Sequence, residues 1–192
     1  MKRLLSLLGA CLFFSGSPSQ AVTTVEHVDL TRYVGQWHEV ASMPQWFQKK
    51  CVRGVTAEYS VLPNGRIQVN NSCIQADGTK TSTLGEAKVL DPVSNARLRV
   101  SFAQIFGKYI YLFGGDYWVI DLEPNYHYAV VGHPTRQYGW ILARQTSLSD
   151  QDLKQIAQRL VDQGYDTCAF LTSIQEGGFT TQQPLCEYLK GR

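Results

Sequence analysis

The chain reads as an all-β domain of eight antiparallel strands, a sandwich or a barrel, followed by one α-helix and a short ninth strand. Three observations carry that reading. Short β-branched and aromatic runs recur at the roughly 8–12-residue spacing of all-β domains. Turn residues separate them: Asn64-Gly65, Asp77-Gly78 and Glu123-Pro124-Asn125. Only one stretch, near the C-terminus, has helical periodicity, and there are no internal repeats. At 192 residues the chain is long enough for one domain with a sizeable core.

The first strand begins at Tyr33-Val34-Gly35-Gln36-Trp37. Gly35 lets the chain turn sharply, and a large aromatic follows at once. In extended backbone Trp37, Glu39, Ala41 and Met43 share one face, and His38, Val40 and Ser42 share the other. A Trp just after a Gly bend suits a plug at the bottom of a closed sheet. Strands over 52–61 and 66–73 flank Leu62-Pro63-Asn64-Gly65, and Asn-Gly between β-rich runs is the strongest short hairpin signal. The fourth strand covers 79–90, and 91–95 is a turn. Residues 97–102 alternate: Leu98, Val100 and Phe102 against Arg97, Arg99 and Ser101. The aromatic, Gly-rich 103–115 reads mostly as a loop. Strands over 116–122, 126–132 and 140–144 complete the eight.

The helix spans 149–163. Ser149 caps it, with Asp152 three residues on as a weaker capping box. Leu153, Ile156, Ala157, Leu160 and Val161 form its apolar stripe, and Gly164 closes it. Residues 169–174 read as the ninth strand and 176–184 as a polar, mobile tail.

Residues 1–21 are expected to be a secretory signal, leaving 22–192 as the domain: barrel 28–146, helix 149–163, C-terminal strand and tail 165–192. Lys2-Arg3 is followed by an apolar run and a small, polar tail, and Ser19 and Ala21 suit cleavage after Ala21. A rival reading exists. Leu8-Gly9-Ala10-Cys11 resembles the lipobox of bacterial lipoproteins, in which Cys11 is lipidated, although Leu12-Phe13-Phe14 carry the apolar run past it. Simple cleavage places the protein in the periplasm; lipidation of Cys11 places it at the outer membrane. Without Lys2 and Arg3, sixteen basic residues face sixteen acidic ones. A neutral chain without a basic run argues against a nucleic-acid partner. Export makes disulfides permissible.

Gly35-Gln36-Trp37, Pro124-Asn125-Tyr126 and Arg144, at the end of Trp140-Ile141-Leu142-Ala143-Arg144, resemble the three sequence blocks of the lipocalins. The middle block is the loosest match. Val28-Asp29-Leu30-Thr31-Arg32-Tyr33, Gly54-Val55-Thr56-Ala57-Glu58-Tyr59 and Tyr138-Gly139-Trp140 are most similar to the bacterial outer-membrane lipocalins and the apolipoprotein D group. The resemblance implies an eight-stranded antiparallel up-and-down β-barrel. It implies that Arg144 packs on Trp37 across the barrel floor. It also implies a carrier of fatty acids or lysophospholipids, monomeric or weakly dimeric, with no cofactor. An eight-stranded barrel holds one small ligand or is filled by its own side chains.

Period two gives the expected wall: Ala41 on the Trp37 face, then Ala57, Tyr59 and Val61, then Ile67, Val69 and Asn71, then Leu98, Val100 and Phe102. Tyr138, Trp140 and Leu142 share a face, which the family likeness makes the inner one. The wall is apolar and aromatic, with polar tips at Tyr59, Asn71 and Trp140. For each residue alone, plain core is the competing reading. Trp46-Phe47 follow the first strand at the open mouth, where they form a lid, touch a membrane or anchor the loop on the rim.

Beyond Cys11 there are four cysteines, Cys51, Cys73, Cys168 and Cys186, with three pairings open. Cys51 and Cys73 end the two arms of one hairpin and share inner-face parity, which favours joining them and leaves Cys168–Cys186 to hold the tail. The two arms are unequal, so a bulge near Arg53-Gly54 must absorb the surplus. Cys51–Cys186 with Cys73–Cys168 resembles the long-range ties of some lipocalins. No nucleophile elbow, phosphate loop or metal-ligand spacing is present. Glu39, an acid with inner-face parity, carries the one enzymatic alternative, an acid/base acting on a lipid or isoprenoid as in a few lipocalin-like barrels. Its bland reading is an acid held by neighbouring Tyr hydroxyls or by Arg144.

Overall fold

A computed structural model of the protein describes residues 20–190 and Arg192. Cys11 and nearly all of the expected signal segment lie outside the described residues. Eight antiparallel strands form the barrel: β1 (Gly35–Ser42), β2 (Cys51–Val61), β3 (Ile67–Gln75), β4 (Lys80–Val89), β5 (Arg97–Ser101), β8 (Gly115–Leu122), β9 (Tyr128–Gly132) and β10 (Gly139–Ala143). Each pairs with the next, and β10 closes on β1, with His38 opposite Ala143 and Glu39 opposite Leu142. Closure removes the sheet edges.

The segment 103–115 is more structured than a loop. It holds a small hairpin, β6 (Gln104–Ile105) with β7 (Lys108–Tyr109), and a 3-10 turn, Tyr111–Phe113. The Ser101 hydroxyl donates to the Ile110 carbonyl at 2.6 Å and ties the hairpin base to β5. Turn chemistry inside an aromatic run hides such a hairpin from pattern reading.

Among the described residues, three α-helices accompany the sheet. Helix α1 (Leu30–Tyr33) is one short turn capped by Asp29 and lies before the first strand. Helix α2 (Asp150–Asp162) has Ser149 as its N-cap, accepting from the Asp152 amide. Leu153, Ile156 and Leu160 are buried against the outer faces of β1, β8, β9 and β10, through Val40, Ala41, Ile120, Val130 and Ile141. Val161 is exposed, so the buried stripe is narrower than the spacing predicts. Strand β9 is buried on both faces, between barrel interior and helix, which accounts for its unbroken apolar run.

The ninth strand shrinks to β11 (Leu171–Thr172), paired with Ala41 and Ser42. The polar tail after it is ordered. The Gln175 amide donates to the Phe179 carbonyl and the Thr172 amide to the Gln183 carbonyl. Helix α3 (Leu185–Lys190) follows, and Leu185 is fully buried. Disulfides join Cys51 to Cys73 and Cys168 to Cys186. The surplus residues of the first β2 arm are absorbed in two steps, between Cys51 and Arg53 and between Arg53 and Thr56, where Gly54 is left-handed (φ +62°). No described helix is long and apolar enough to cross a membrane.

Candidate ligand-binding site

The floor is built by three separated stretches. The Arg144 guanidinium lies over the Trp37 ring, 3.8 Å from its centroid. It donates to the carbonyls of Arg32, Gln36 and Val34 at 2.6, 2.8 and 3.0 Å and to Tyr33 at 3.2 Å. Trp37 is fully buried, and its indole N–H donates to the Tyr33 carbonyl at 2.8 Å. Gly35, left-handed at φ +92°, makes the bend. A side chain there would meet Arg144. Tyr126, also left-handed at φ +65°, accepts from the Asp29 amide through its hydroxyl, under the Arg32 guanidinium. Asn125 bonds Glu123 and shapes the turn that presents Tyr126. One cation thus satisfies four carbonyls of the chain turn that seals the barrel.

Above the floor lies a narrow apolar slot. Its walls include Tyr59, Ile67, Val69, Leu98 and Val100. Val28, Leu30, Tyr33, Val34, Ala87, Tyr117 and Val119 complete it. The slot encloses about 390 Å³ counting its opening, but only about 20 Å³ lies clear of the walls by a water radius. The only polar atoms of its side chains are three tyrosine hydroxyls bonded to each other, Tyr117 to Tyr33 at 2.8 Å and to Tyr59 at 3.1 Å. Burial pushes all three phenols up, Tyr59 to about 12, so they stay neutral donors.

Nearer the mouth, Asn71 continues the Val69 face, opposite Ala57. Its amide oxygen is buried with no hydrogen-bond partner among the described residues. Tyr138 packs against Trp140 with the rings tilted by 50°, centroids 5.1 Å apart, and its hydroxyl donates to the Asp116 carbonyl. Phe102 has inner-face parity and packs on Gly85, but it stands at the rim, 43% exposed.

Two expected wall residues are corrected. Ala41 faces outward against α2. A bulge between Glu39 and Ala41 reverses the parity, so Ala41 pairs with outward Ile141 and Ser42 with inward Trp140. Val61 is 53% exposed, because it ends β2 at the hairpin tip, past the floor. Pattern reading missed Tyr33, Ala87 and Tyr117. Strand β8 is apolar on both faces, so alternation could not select Tyr117.

Glu39 is buried in the upper barrel. Three donors converge on its carboxylate: the Ser42 hydroxyl at 2.9 Å, the Gln48 amide at 2.8 Å and the Ser173 hydroxyl. Gln48 in turn accepts from the Trp140 indole. Its partners are therefore Ser and Gln, not Tyr or Arg144. The carboxylate ties β1, the connection after it and the C-terminal segment together.

Among the described residues, one cluster has metal-ligand atoms in reach, Cys168, Cys186 and Glu187. Its two sulfurs form a disulfide, so they offer no thiolate.

Comparison with known proteins gives a family match, two relatives and a solved structure of similar fold. Residues 28–175 match the family model described as a lipocalin-like domain. Temperature-induced lipocalin-1 of Arabidopsis thaliana is 36% identical over 143 residues, 74% of this chain and 76% of that one. Outer membrane lipoprotein Blc of Escherichia coli K12 is 34% identical over 164 residues, 85% and 88% of the two chains. Insecticyanin from the tobacco hornworm Manduca sexta has a similar fold, with a TM-score of 0.63 at 20% identity, over 85% of this chain and 93% of that one.

Proposed function

The chain belongs to the lipocalin family, whose members bind small hydrophobic molecules, and on that premise we propose that it carries or stores a fatty acid or lysophospholipid in its barrel. The observation that carries the choice is the shape and lining of the slot. It is narrow, apolar and free of charge, which suits an unbranched acyl chain better than a fused-ring pigment. Apolar burial supplies affinity, and the walls must part slightly to admit a methylene chain. A head group then lies near the mouth, where the unpartnered Asn71 amide oxygen can accept from a hydroxyl or ammonium donor.

The protein is a binder rather than an enzyme on this reading, because the one interior acid, Glu39, is held by three donors from within the chain. The competing reading is a barrel filled by its own side chains. Delipidated protein is mixed with a fluorescent acyl-chain analogue, then titrated with unlabelled fatty acid or lysophospholipid. Saturable uptake, displaced by one of them, is expected; no uptake of either class favours the filled barrel.

The expected export signal extends the proposal. The chain works in the bacterial envelope, as a monomer or weak dimer, in the periplasm after cleavage at Ala21 or at the outer membrane after lipidation of Cys11. Metabolic labelling with a palmitate analogue separates the two, since only a lipidated Cys11 carries label.

A further inference from the structure

Thirteen large apolar side chains are well exposed among the described residues, and eight of them lie on the connections or strand ends at the open end of the barrel. Trp46 and Phe47 sit on the connection between β1 and β2, 78% and 53% exposed. Their rings touch only edge to face, 5.7 Å apart. Ile105 and Phe106 form the tip of the β6–β7 hairpin, and Leu112 and Phe113 follow on its return. In the strand order these two connections stand on opposite sides of the mouth, so one plane can meet both.

Phe106 has no folding rationale. It is completely exposed and left-handed (φ +49°), followed by left-handed Gly107 (φ +75°). This two-residue turn favours Asn or Gly at the first position, and a bulky aromatic is strained there. Strain and exposure together at one side chain point to something outside the chain that receives it.

The charge at the same end names the receiver. Each apolar tip is followed by lysine: Trp46-Phe47-Gln48-Lys49-Lys50 and Ile105-Phe106-Gly107-Lys108. No acidic residue lies in 43–50 or 102–114, although 22–192 is neutral as a whole. Among the described residues, none of the three lysines has an ion-pair partner. Aromatics with adjacent lysines suit a surface that is apolar inside and anionic at its boundary.

We propose that the open end of the barrel docks on an anionic lipid bilayer, with Trp46, Phe47, Ile105 and Phe106 entering the head-group layer and Lys49, Lys50 and Lys108 meeting the phosphates. The contact brings the mouth to the membrane surface whatever the barrel holds. It needs no acyl anchor.

The test uses unacylated protein without residues 1–21 and measures co-sedimentation with vesicles of phosphatidylcholine, with and without phosphatidylglycerol. Binding is expected only with phosphatidylglycerol and should fall as salt rises. Reversing the comparison at the lysines, Lys49→Gln, Lys50→Gln and Lys108→Gln together should weaken it on the order of a hundredfold, at roughly fivefold per lysine. Trp46→Gln with Phe106→Asn should weaken it at least roughly tenfold, since two interfacial aromatics are withdrawn. Asn relieves the turn, so that variant should melt no earlier than the parent. Val93→Ser, an exposed apolar change at the closed end, should leave binding unchanged. The proposal is overturned if the parent does not bind phosphatidylglycerol vesicles. It is equally overturned if the Trp46/Phe106 variant binds as the parent does. Self-association through these residues without lipid would assign the surface to a second copy instead. Acyl-chain uptake measured without vesicles is expected to survive in the variant, so failure here and failure of the carrier reading are distinct results.

Discussion

Replacing Trp37 by Ala should remove the keystone of the barrel floor. Trp37 is fully buried, and loss of a buried Trp costs about 3–5 kcal/mol in transfer and cavity terms. Its stack under Arg144 adds about 0.5–1 kcal/mol, since that guanidinium is partly exposed. The lost indole hydrogen bond adds little, because Arg144 also donates to the Tyr33 carbonyl at 3.2 Å and keeps it satisfied. A loss of about 4 kcal/mol is large against the ~5–15 kcal/mol of an ordinary domain. Trp37→Phe keeps a ring beneath the guanidinium and should cost about 1–2 kcal/mol, mainly from the small cavity the lost part of the indole leaves. Urea unfolding followed by near-ultraviolet circular dichroism reads both, with the midpoint falling and the slope unchanged. A double-mutant cycle with Arg144→Met should give a coupling above ~0.5 kcal/mol, the limit of additivity for independent sites. A Trp37→Ala loss below about 1 kcal/mol, or strict additivity with Arg144→Met, would refute the floor as described.

Opening the Cys51–Cys73 link by Cys51→Ser with Cys73→Ser should destabilise by about 3 kcal/mol, from the chain entropy of a 22-residue closed loop. Thermal melting checks it, and an unchanged midpoint would place the constraint elsewhere. Asp121 is half-buried with one carboxylate oxygen unpartnered, and desolvation raises its pKa above the ordinary 3.8. The folded state then holds its proton more tightly than the unfolded state, so stability falls as pH rises from 3.8 through the raised value. Asp121→Asn should therefore stabilise at neutral pH, with the gain vanishing below pH 3.8; a pH-independent difference would contradict it. Alkaline difference spectroscopy should find Tyr33, Tyr59 and Tyr117 silent until about pH 12 or unfolding, whichever comes first. Glu39→Gln turns one acceptor oxygen into a donor facing Ser or Gln donors, and should cost about 1–3 kcal/mol by calorimetry.

Alternation tells which face a strand residue takes, and it read β3 and β5 well, where Ile67, Val69 and Leu98 are buried between outward polar neighbours. It does not tell how high on the barrel a residue stands. Val61 and Phe102 have inner-face parity but lie past the two ends of the wall. A bulge defeats it altogether, as at Ala41, because one extra residue exchanges the faces for the rest of the strand. The Gly35 bend and the Trp37 plug were legible from their residue types, whereas the Arg144 contact was legible only through the likeness to the lipocalin blocks. The Glu39 network was not, since Ser173 reaches it from 134 positions away and nothing local marks the meeting. The ordered tail was hidden for the same reason: Leu185 is buried through long-range packing, in a short helix after a polar run.

Native mass spectrometry of protein purified without detergent addresses the ligand in the barrel most directly. One acyl lipid per chain is expected, released on activation, identified by its mass, and restored when delipidated protein is reloaded. A chain that emerges empty and takes up neither fatty acid nor lysophospholipid would contradict the carrier reading and leave a barrel packed by its own tyrosines and aliphatic side chains.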